Sequence, residues 1–218
     1  MAEKKIICIM TQKGGAGKTT IAVNLGAAIA SQYPHLRIAI GDADPQGSSY
    51  IWVNRGKGAA GISVTRIASD GEGKTLKADL NAIDADLIVI DLPPSLEAVS
   101  LRCAIRSHLI LIPALPSIID LAATQGAVAI VKEAIELIPD KKFLLVPNRV
   151  QNNTSTGREL RGELTTWGPV SETTLCQRIA FSEAAVYGVG VTQYAPESPA
   201  AQEIGLLAEE VAQMLGLV

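Results

Sequence analysis

The decisive stretch is Gln12-Lys13-Gly14-Gly15-Ala16-Gly17-Lys18-Thr19-Thr20, which follows an apolar run at residues 6–10 and precedes an amphipathic run at residues 21–30. This order predicts a strand, a glycine-rich loop and a helix. Because glycine has no Cβ, consecutive backbone N–H groups in such a loop can turn inward and bind phosphate oxygens, beside the positive N-terminal end of the helix. In this arrangement Lys18 can reach the β- and γ-phosphates of a nucleotide, and the Thr19 hydroxyl can bind Mg²⁺.

The loop departs from the general phosphate-loop pattern at its first position, where the pattern has glycine and this chain has Gln12. Instead, Lys13 begins the run Lys-Gly-Gly-Ala-Gly-Lys-Thr, which resembles the deviant Walker A motif of the ParA/MinD family of ATPases. The resemblance implies ATP and Mg²⁺ as cofactors and a homodimer formed with ATP, in which Lys13 reaches the nucleotide of the other subunit. The residues then expected to bind the nucleotide are Gly14, Gly15, Ala16, Gly17, Lys18, Thr19 and Thr20.

The bulk composition is that of one α/β domain. The chain has 218 residues, of which 48% are hydrophobic but only 4% aromatic, so its core is aliphatic and suits strands covered on both faces by helices. The formal net charge of −3 provides no general attraction for nucleic acid. The three cysteines, Cys8, Cys103 and Cys176, occur singly, without a zinc-binding spacing or a disulfide framework. We expect a cytoplasmic protein without a signal peptide or a membrane-spanning helix.

Apolar runs alternate with helical patterns along the whole chain. This alternation predicts a single domain, residues 1–218, with a mostly parallel twisted sheet flanked by helices on both faces, as in P-loop NTPases. The predicted strands are residues 5–11, 37–41, 62–67, 87–90, 109–113 and 143–146. The predicted helices are residues 19–31, 46–54, 74–82, 96–106, 118–137, 155–167, 179–187 and 199–215.

Two carboxylates follow the second predicted strand, in the segment Asp42-Ala43-Asp44-Pro45-Gln46. Ligands of open α/β sheets bind outside the carboxyl ends of the strands, and side chains two residues apart on an extended segment point the same way. The segment also resembles the Asp-x-Asp-Pro-Gln motif of the ParA/MinD family. The resemblance implies that Asp44 positions or activates the attacking water and that Asp42 supports the water shell of the metal. A structural turn or helix cap is the alternative explanation.

The fourth predicted strand is an apolar run that ends at Asp91. A Walker B strand requires this pattern, because its acid must emerge at the sheet edge to meet a metal-bound water or Thr19. The following residues, through Ser95, resemble the switch II segment of the family, in which loss of the γ-phosphate would relax a loop and report hydrolysis to the dimer interface. An acid at this position would also be explained if the strand simply ends in a polar residue where it leaves the core.

Two residues are candidates for binding the adenine base. Asn148 closes the sixth predicted strand, and its side-chain amide can pair with an adenine edge. The family has an asparagine at this place that contacts adenine, whereas a turn asparagine is the structural alternative. Pro196 lies in a segment, residues 193–203, that resembles the part of the family that wraps the base.

The positive charge is concentrated in one part of the chain. Residues 141–178 carry six basic and three acidic side chains, a net charge of +3, whereas residues 179–218 carry five acidic and no basic ones. Arg158 and Arg161 share one face of a predicted helix and could bind DNA phosphates without reading sequence. An ordinary solvated face is the alternative. The nonspecific DNA binding of the family implies Arg158, Arg161 and Arg178 as the DNA contacts.

The resemblance covers nearly the whole chain and is nearest to the small, plasmid-type ParA branch. It implies an ATPase with slow basal turnover that forms a sandwich dimer with ATP and binds nonspecific DNA. A ParB-like activating partner or cargo adaptor would stimulate hydrolysis, so that a plasmid, chromosome or protein organelle is segregated or positioned on the nucleoid.

Two alternatives remain at this point. A MinD-like, membrane-associated positioning ATPase is disfavoured because the final predicted helix has no basic residue for an anionic lipid surface. A P-loop metabolic enzyme, such as a dethiobiotin-synthetase-like ligase, would need a second pocket for a small acid or amine.

Overall fold

The protein is described by a computed structural model over residues 3–57, 60–68, 73–94 and 97–218. Within these ranges the strands are β1 (Lys5–Ile9), β2 (Ile38–Asp42), β3 (Ser63–Arg66), β4 (Leu87–Asp91), β5 (Leu109–Ala114) and β6 (Lys142–Pro147). The helices are α1 (Lys18–Gln32), α2 (Ser48–Arg55), α3 (Leu76–Ala82), α4 (Glu97–Arg106), α5 (Ile118–Leu137), α6 (Ser155–Thr165), α7 (Ile179–Tyr187), α8 (Val191–Tyr194) and α9 (Pro199–Leu215). Every predicted strand and helix is observed, with bounds that agree to within two residues over the described part of the chain.

The strands form one parallel sheet in the order β3-β2-β4-β1-β5-β6. The strand β4 lies between β1 and β2, and Asp91 at its end is in register with both Ile9 and Asp42. The sheet therefore brings the end of β1, where the glycine-rich loop begins, to the same edge as the two acids that end β2 and β4.

Apolar side chains cover both faces of the sheet. Ile7 and Ile9 of β1 belong to one buried cluster, which α1 and α9 help to form. Cys8 belongs to a second cluster on the opposite face, which α3, α4 and α5 help to form, as strand alternation requires. This arrangement confirms the predicted fold of a parallel sheet between two helical layers. It also buries the Cys8 thiol, and burial raises the pKa of Cys8 well above its usual range.

The C-terminal part of the chain packs against α1. Asn24 is fully buried in α1, where its Oδ1 accepts a 2.7 Å hydrogen bond from the Val191 N–H at the start of α8. The helix α9 begins at Pro199, after Ser198 has capped it by accepting the Ala201 N–H at 3.2 Å. The buried face of α9 joins the cluster of α1, so the final helix packs against α1 on one side of the sheet. Among the described helices, none has the length and apolar character needed to cross a membrane.

Candidate nucleotide-binding site

The glycine-rich loop joins β1 to α1 and leaves an open space for an anion. Gly15 and Gly17 have φ values of 77° and 90°, a left-handed conformation that strongly favours glycine. A Cβ at Gly15 would meet no atom of the described residues within 4 Å. Gly17 precedes the first turn of α1, and no side chain caps the helix there. The N-terminal amides of α1 are therefore available to a phosphate group, which the helix dipole also favours.

The ammonium group of Lys18 lies inside this loop. Lys18 is buried, and its Nζ donates hydrogen bonds to the carbonyl oxygens of Lys13 at 3.1 Å and Thr11 at 3.4 Å. Burial lowers the pKa of Lys18, while the negative charges of Asp91 and Asp44 act in the opposite direction. Lys18, the predicted phosphate-binding lysine, is thus close enough to Asp44 and Asp91 for their charges to interact with it.

Asp91 has the environment of a cation ligand. Its carboxylate is completely buried, and neither oxygen has a hydrogen-bond partner among the described residues. Burial raises the pKa of Asp91 to about 7, with the charge of Asp42 as a smaller contribution, while the hydroxyls of Thr19 and Ser49 lower it. A buried carboxylate without a partner is costly unless a cation compensates its charge. Because Mg²⁺ prefers oxygen ligands, Asp91 and the Thr19 hydroxyl fit a magnesium ion.

Asp42 is an anchor of the backbone as well as a neighbour of Asp91. Its Oδ1 accepts the Asp44 N–H at 3.0 Å, and its Oδ2 accepts the Tyr50 N–H at 2.8 Å in the first turn of α2. The carboxylate therefore fixes both the loop that carries Asp44 and the start of α2. Asp42 therefore makes the structural turn that was the alternative explanation of this segment. It also lies next to Asp91 at the carboxyl edge of the sheet, where the metal is predicted to bind.

Asp44 is half-buried and lies on the phosphate side of the site. Its Oδ1 accepts the Gln46 N–H at 2.9 Å, which closes a turn of the kind that aspartate commonly makes. The charge of Asp44 also acts on Lys18. The predicted water-positioning carboxylate is therefore held near the loop by backbone hydrogen bonds.

A cleft of about 400 Å³ opens beside the loop, and Gly17, Thr20, Asn148, Arg178 and Phe181 are among the residues that line it. Asn148 is buried, and its Nδ2 donates a 2.8 Å hydrogen bond to the Ala16 carbonyl oxygen. A Cβ added at Gly17 would lie only 2.5 Å from that same Nδ2. Asn148 thus lines the cleft and supports the phosphate loop, and its contact with the base stays a prediction.

Residues 7–191 match the family model described as CobQ/CobB/MinD/ParA nucleotide binding domain. The chain belongs to this family. It is 33% identical to the maintenance of carboxysome distribution protein A of Halothiobacillus neapolitanus, over 94% of this chain and 95% of that relative. It is 27% identical to the chromosome-partitioning ATPase Soj of Thermus thermophilus, over 96% of both chains.

The fold also resembles that of the septum site-determining protein MinD from Pyrococcus horikoshii, which was solved in complex with Mg-ADP. The TM-score is 0.76 at 19% identity, and the alignment covers 99% of this chain and 98% of MinD. The resemblance to the ParA/MinD family that the loop and the two aspartate segments indicate is thereby confirmed.

The signature lysine of this MinD/ParA family chain makes an ion pair within its own chain. Lys13 Nζ contacts the Asp120 carboxylate in the first turn of α5. The Lys13 side chain is 40% exposed, whereas that of Asp120 is only 12% exposed. Ile119, the residue directly before Asp120, is 76% exposed. The single chain therefore holds Lys13 at the start of α5, a turn that also carries an exposed apolar side chain.

The predicted switch II segment lies partly within the described residues. Asp91 ends β4, and Leu92 and Pro93 are buried directly after it. A Cβ at Gly14 would lie 4.0 Å from Cγ of Pro94, so this segment neighbours the phosphate loop. Ser95, which completes the predicted segment, lies outside the described residues.

The structure does not bring Pro196 to the nucleotide cleft. Pro196 is exposed, in the turn between α8 and α9. The short helix α8, which sequence patterns did not predict, directly precedes this turn in the chain. Residues 175–179 and part of α7 line the cleft instead.

The three arginines predicted to bind DNA have different surroundings. Arg158 is exposed on α6. Arg161 is half-buried and donates from Nη2 to the carbonyl oxygens of Ser171 at 2.7 Å and Glu172 at 2.9 Å. Arg178 lines the nucleotide cleft and pairs with Glu203 at 2.7 Å. Of these three arginines, only Arg158 has a guanidinium group that makes none of the contacts described for the other two.

Two further residues of the site were missed by the sequence interpretation. Asp120 is the acid in the first turn of the long helix α5, and that position alone could have suggested a partner for a nearby cation. Ser49 lies three residues after the Asp-x-Asp-Pro-Gln segment, and its hydroxyl is buried beside Asp91. Their roles became visible only through contacts between distant segments.

Proposed function

We propose that this chain is a ParA-type ATPase that binds ATP with Mg²⁺, forms a dimer with ATP and positions cargo on the nucleoid. The observation that carries the proposal is that the phosphate loop, Asp44 and Asp91 meet at one edge of the sheet. Within the described residues, the Asp91 carboxylate there has no hydrogen-bond partner. The full-length similarity to a carboxysome distribution protein and to a chromosome-partitioning ATPase supports positioning over metabolic chemistry.

In the proposed reaction, a water attacks the γ-phosphate in line with the bond to the β-phosphate, which breaks to leave ADP and inorganic phosphate. Asp44 orients this water. The loop amides and Lys18 stabilise the charge that develops on the transferred group. Lys13 of the other subunit supplies a second positive charge. Mg²⁺, held through Asp91, Thr19 and the water shell near Asp42, would neutralise phosphate charge when bound.

The proposed dimer binds nonspecific DNA, and an activating partner or cargo adaptor of ParB type triggers hydrolysis and release. Arg158 and Arg161 on α6 are the proposed phosphate contacts. Arg178 would contribute only after its ion pair with Glu203 opens, because that pair holds its guanidinium at the nucleotide cleft. The cargo is a plasmid, a chromosome or a protein organelle.

The DNA-binding part of the proposal predicts a nucleotide-dependent, salt-sensitive affinity for duplex DNA. We expect binding of a random-sequence duplex with ATP and Mg²⁺, and at least tenfold weaker binding with ADP or without nucleotide. Because the proposed dimer carries each arginine twice, Arg158→Ala or Arg161→Ala removes two phosphate contacts and should make the slope of log K against log salt less negative by about 1.8. Fluorescence anisotropy across a salt series measures these slopes.

Lys77→Ala is the control, because Lys77 is an exposed basic residue on the distant helix α3. An unchanged slope in both arginine variants would reduce those residues to ordinary surface charge. Failure to bind DNA in every nucleotide state, by a protein that still binds ATP, would shift the proposal to a metabolic or membrane-associated P-loop enzyme.

The contact between Lys13 and Asp120 predicts an effect on dimer formation. Asp120→Ala removes the partner that holds Lys13 within its own chain, so Lys13 is free to cross the interface. Because partly exposed ion pairs stabilise a protein by less than about 1 kcal/mol, we expect the ATP concentration for half-maximal dimer formation to fall about two- to fivefold. Light scattering during an ATP titration measures this midpoint.

Glu133→Ala, an exposed acid on the same helix α5, should leave that midpoint unchanged. A higher midpoint in Asp120→Ala would contradict the prediction. It would mean that Asp120 guides Lys13 within the dimer instead of retaining it in the single chain.

A further inference from the structure

Ser49 is a buried hydroxyl group without an evident structural purpose. It is the second residue of α2 and is completely buried, yet its Oγ has no hydrogen-bond partner among the residues that the structure describes. Buried hydroxyl groups are normally paired, because leaving one unpaired costs free energy that an alanine would avoid. The adjacent Ser48 is exposed and provides a natural comparison on the same helix.

The hydroxyl of Ser49 lies against the other unpaired group of this site. It stabilises the charged form of Asp91, whose two carboxylate oxygens also have no partner within the described ranges. Two neighbouring buried groups that are both unsatisfied indicate a place for an additional ligand, since a shared ligand would satisfy both.

The backbone fixes Ser49 at this position. Asp42 accepts the N–H of Tyr50, the residue directly after Ser49, and Asp42 is itself in register with Asp91. Gly47 starts α2 in the left-handed conformation, with φ of 66°, which turns the chain sharply before Ser49. These contacts fix the start of α2 at the carboxyl edge of the sheet, where Asp42 and Asp91 lie, and they hold Ser49 beside Asp91.

We infer that Ser49 is a positioning residue for the magnesium site: its hydroxyl orients the Asp91 carboxylate and pairs with the water shell of the bound metal. The inference rests on the proposed function, because it concerns the magnesium ion that accompanies the nucleotide. Ser49 does not touch the reacting atoms. Groups that orient metal ligands in this way typically change metal affinity 10- to 100-fold when they are removed.

The test is the magnesium dependence of nucleotide binding in Ser49→Ala. The probe is a fluorescent N-methylanthraniloyl derivative of ADP, titrated with Mg²⁺ and compared with binding in excess EDTA. We expect the magnesium midpoint to rise at least tenfold in Ser49→Ala, with unchanged affinity in EDTA and no decrease in the thermal unfolding midpoint. Ser48→Ala should behave as the wild type in all three measurements.

The outcomes separate this inference from the proposed function. A wild-type protein whose nucleotide affinity does not respond to Mg²⁺ would contradict the proposed function itself. A wild type that responds and a Ser49→Ala variant with the same midpoint would overturn only the role of Ser49. Weaker binding in EDTA, or a lower unfolding midpoint, would overturn it as well, because either result would show that Ser49 supports the fold and not the metal.

Discussion

Asp44→Ala is expected to form the ATP-dependent dimer but to hydrolyse ATP about 100-fold or more slowly than the wild type, the usual range for losing a group that handles the attacking water. The backbone around Asp44 is held independently of its side chain, because the Asp44 N–H donates to Asp42 and the Asp44 carbonyl oxygen accepts from Gly47. The phosphate loop, Lys18 and Lys13 remain in place. Binding and dimerisation should therefore survive the loss of hydrolysis.

Asp44→Asn sharpens this prediction. An asparagine keeps the side-chain oxygen that accepts the Gln46 N–H, so the turn is preserved and only the charge is lost. If the charge orients the water, both variants should be slow in a phosphate-release assay and both should elute as dimers with ATP and Mg²⁺. Normal turnover in Asp44→Asn, with slow turnover in Asp44→Ala, would instead assign Asp44 a purely structural role in the turn.

The parts of the site that are continuous in sequence were predictable. The phosphate loop was predicted from nine consecutive residues. Asp42 and Asp91 were each predicted from an apolar strand that ends in aspartate. The register of a parallel sheet then brings Asp42 and Asp91 together, as expected for side chains at the carboxyl ends of adjacent strands. The composition and the alternation of elements were sufficient for the fold.

The contacts that join distant segments were not predictable from patterns. Asn148 supports Ala16 from 132 positions away in the chain, and the contact between Lys13 and Asp120 depends on how α5 packs. The four-residue helix α8 is too short to give a periodic signal. The resemblance to a base-wrapping segment around Pro196 likewise did not identify residues 175–179 and part of α7, which line the cleft.

Lys13→Ala is expected to bind nucleotide as a single chain but to lose the ATP-dependent dimer and stimulated hydrolysis. A cation that reaches the transferred phosphate from another chain contributes about 10³- to 10⁵-fold in P-loop NTPases, so turnover should fall by about 1,000-fold. Nucleotide binding should persist, because Lys18, the loop amides and Asn148 belong to the same chain as the bound nucleotide. Size-exclusion chromatography with ATP and Mg²⁺, together with phosphate release, measures both effects.

The double variant Lys13→Ala/Asp120→Ala distinguishes the role across the interface from a role in stability. Lys13→Ala leaves the mostly buried Asp120 without its cation, which should lower the free energy of unfolding by about 1 kcal/mol. Removing Asp120 as well should restore stability in urea, but it cannot restore a lysine to the opposite nucleotide. If the double variant recovers the dimer and hydrolysis together with stability, Lys13 acts only through its own chain; if it recovers stability alone, the lysine acts across the interface.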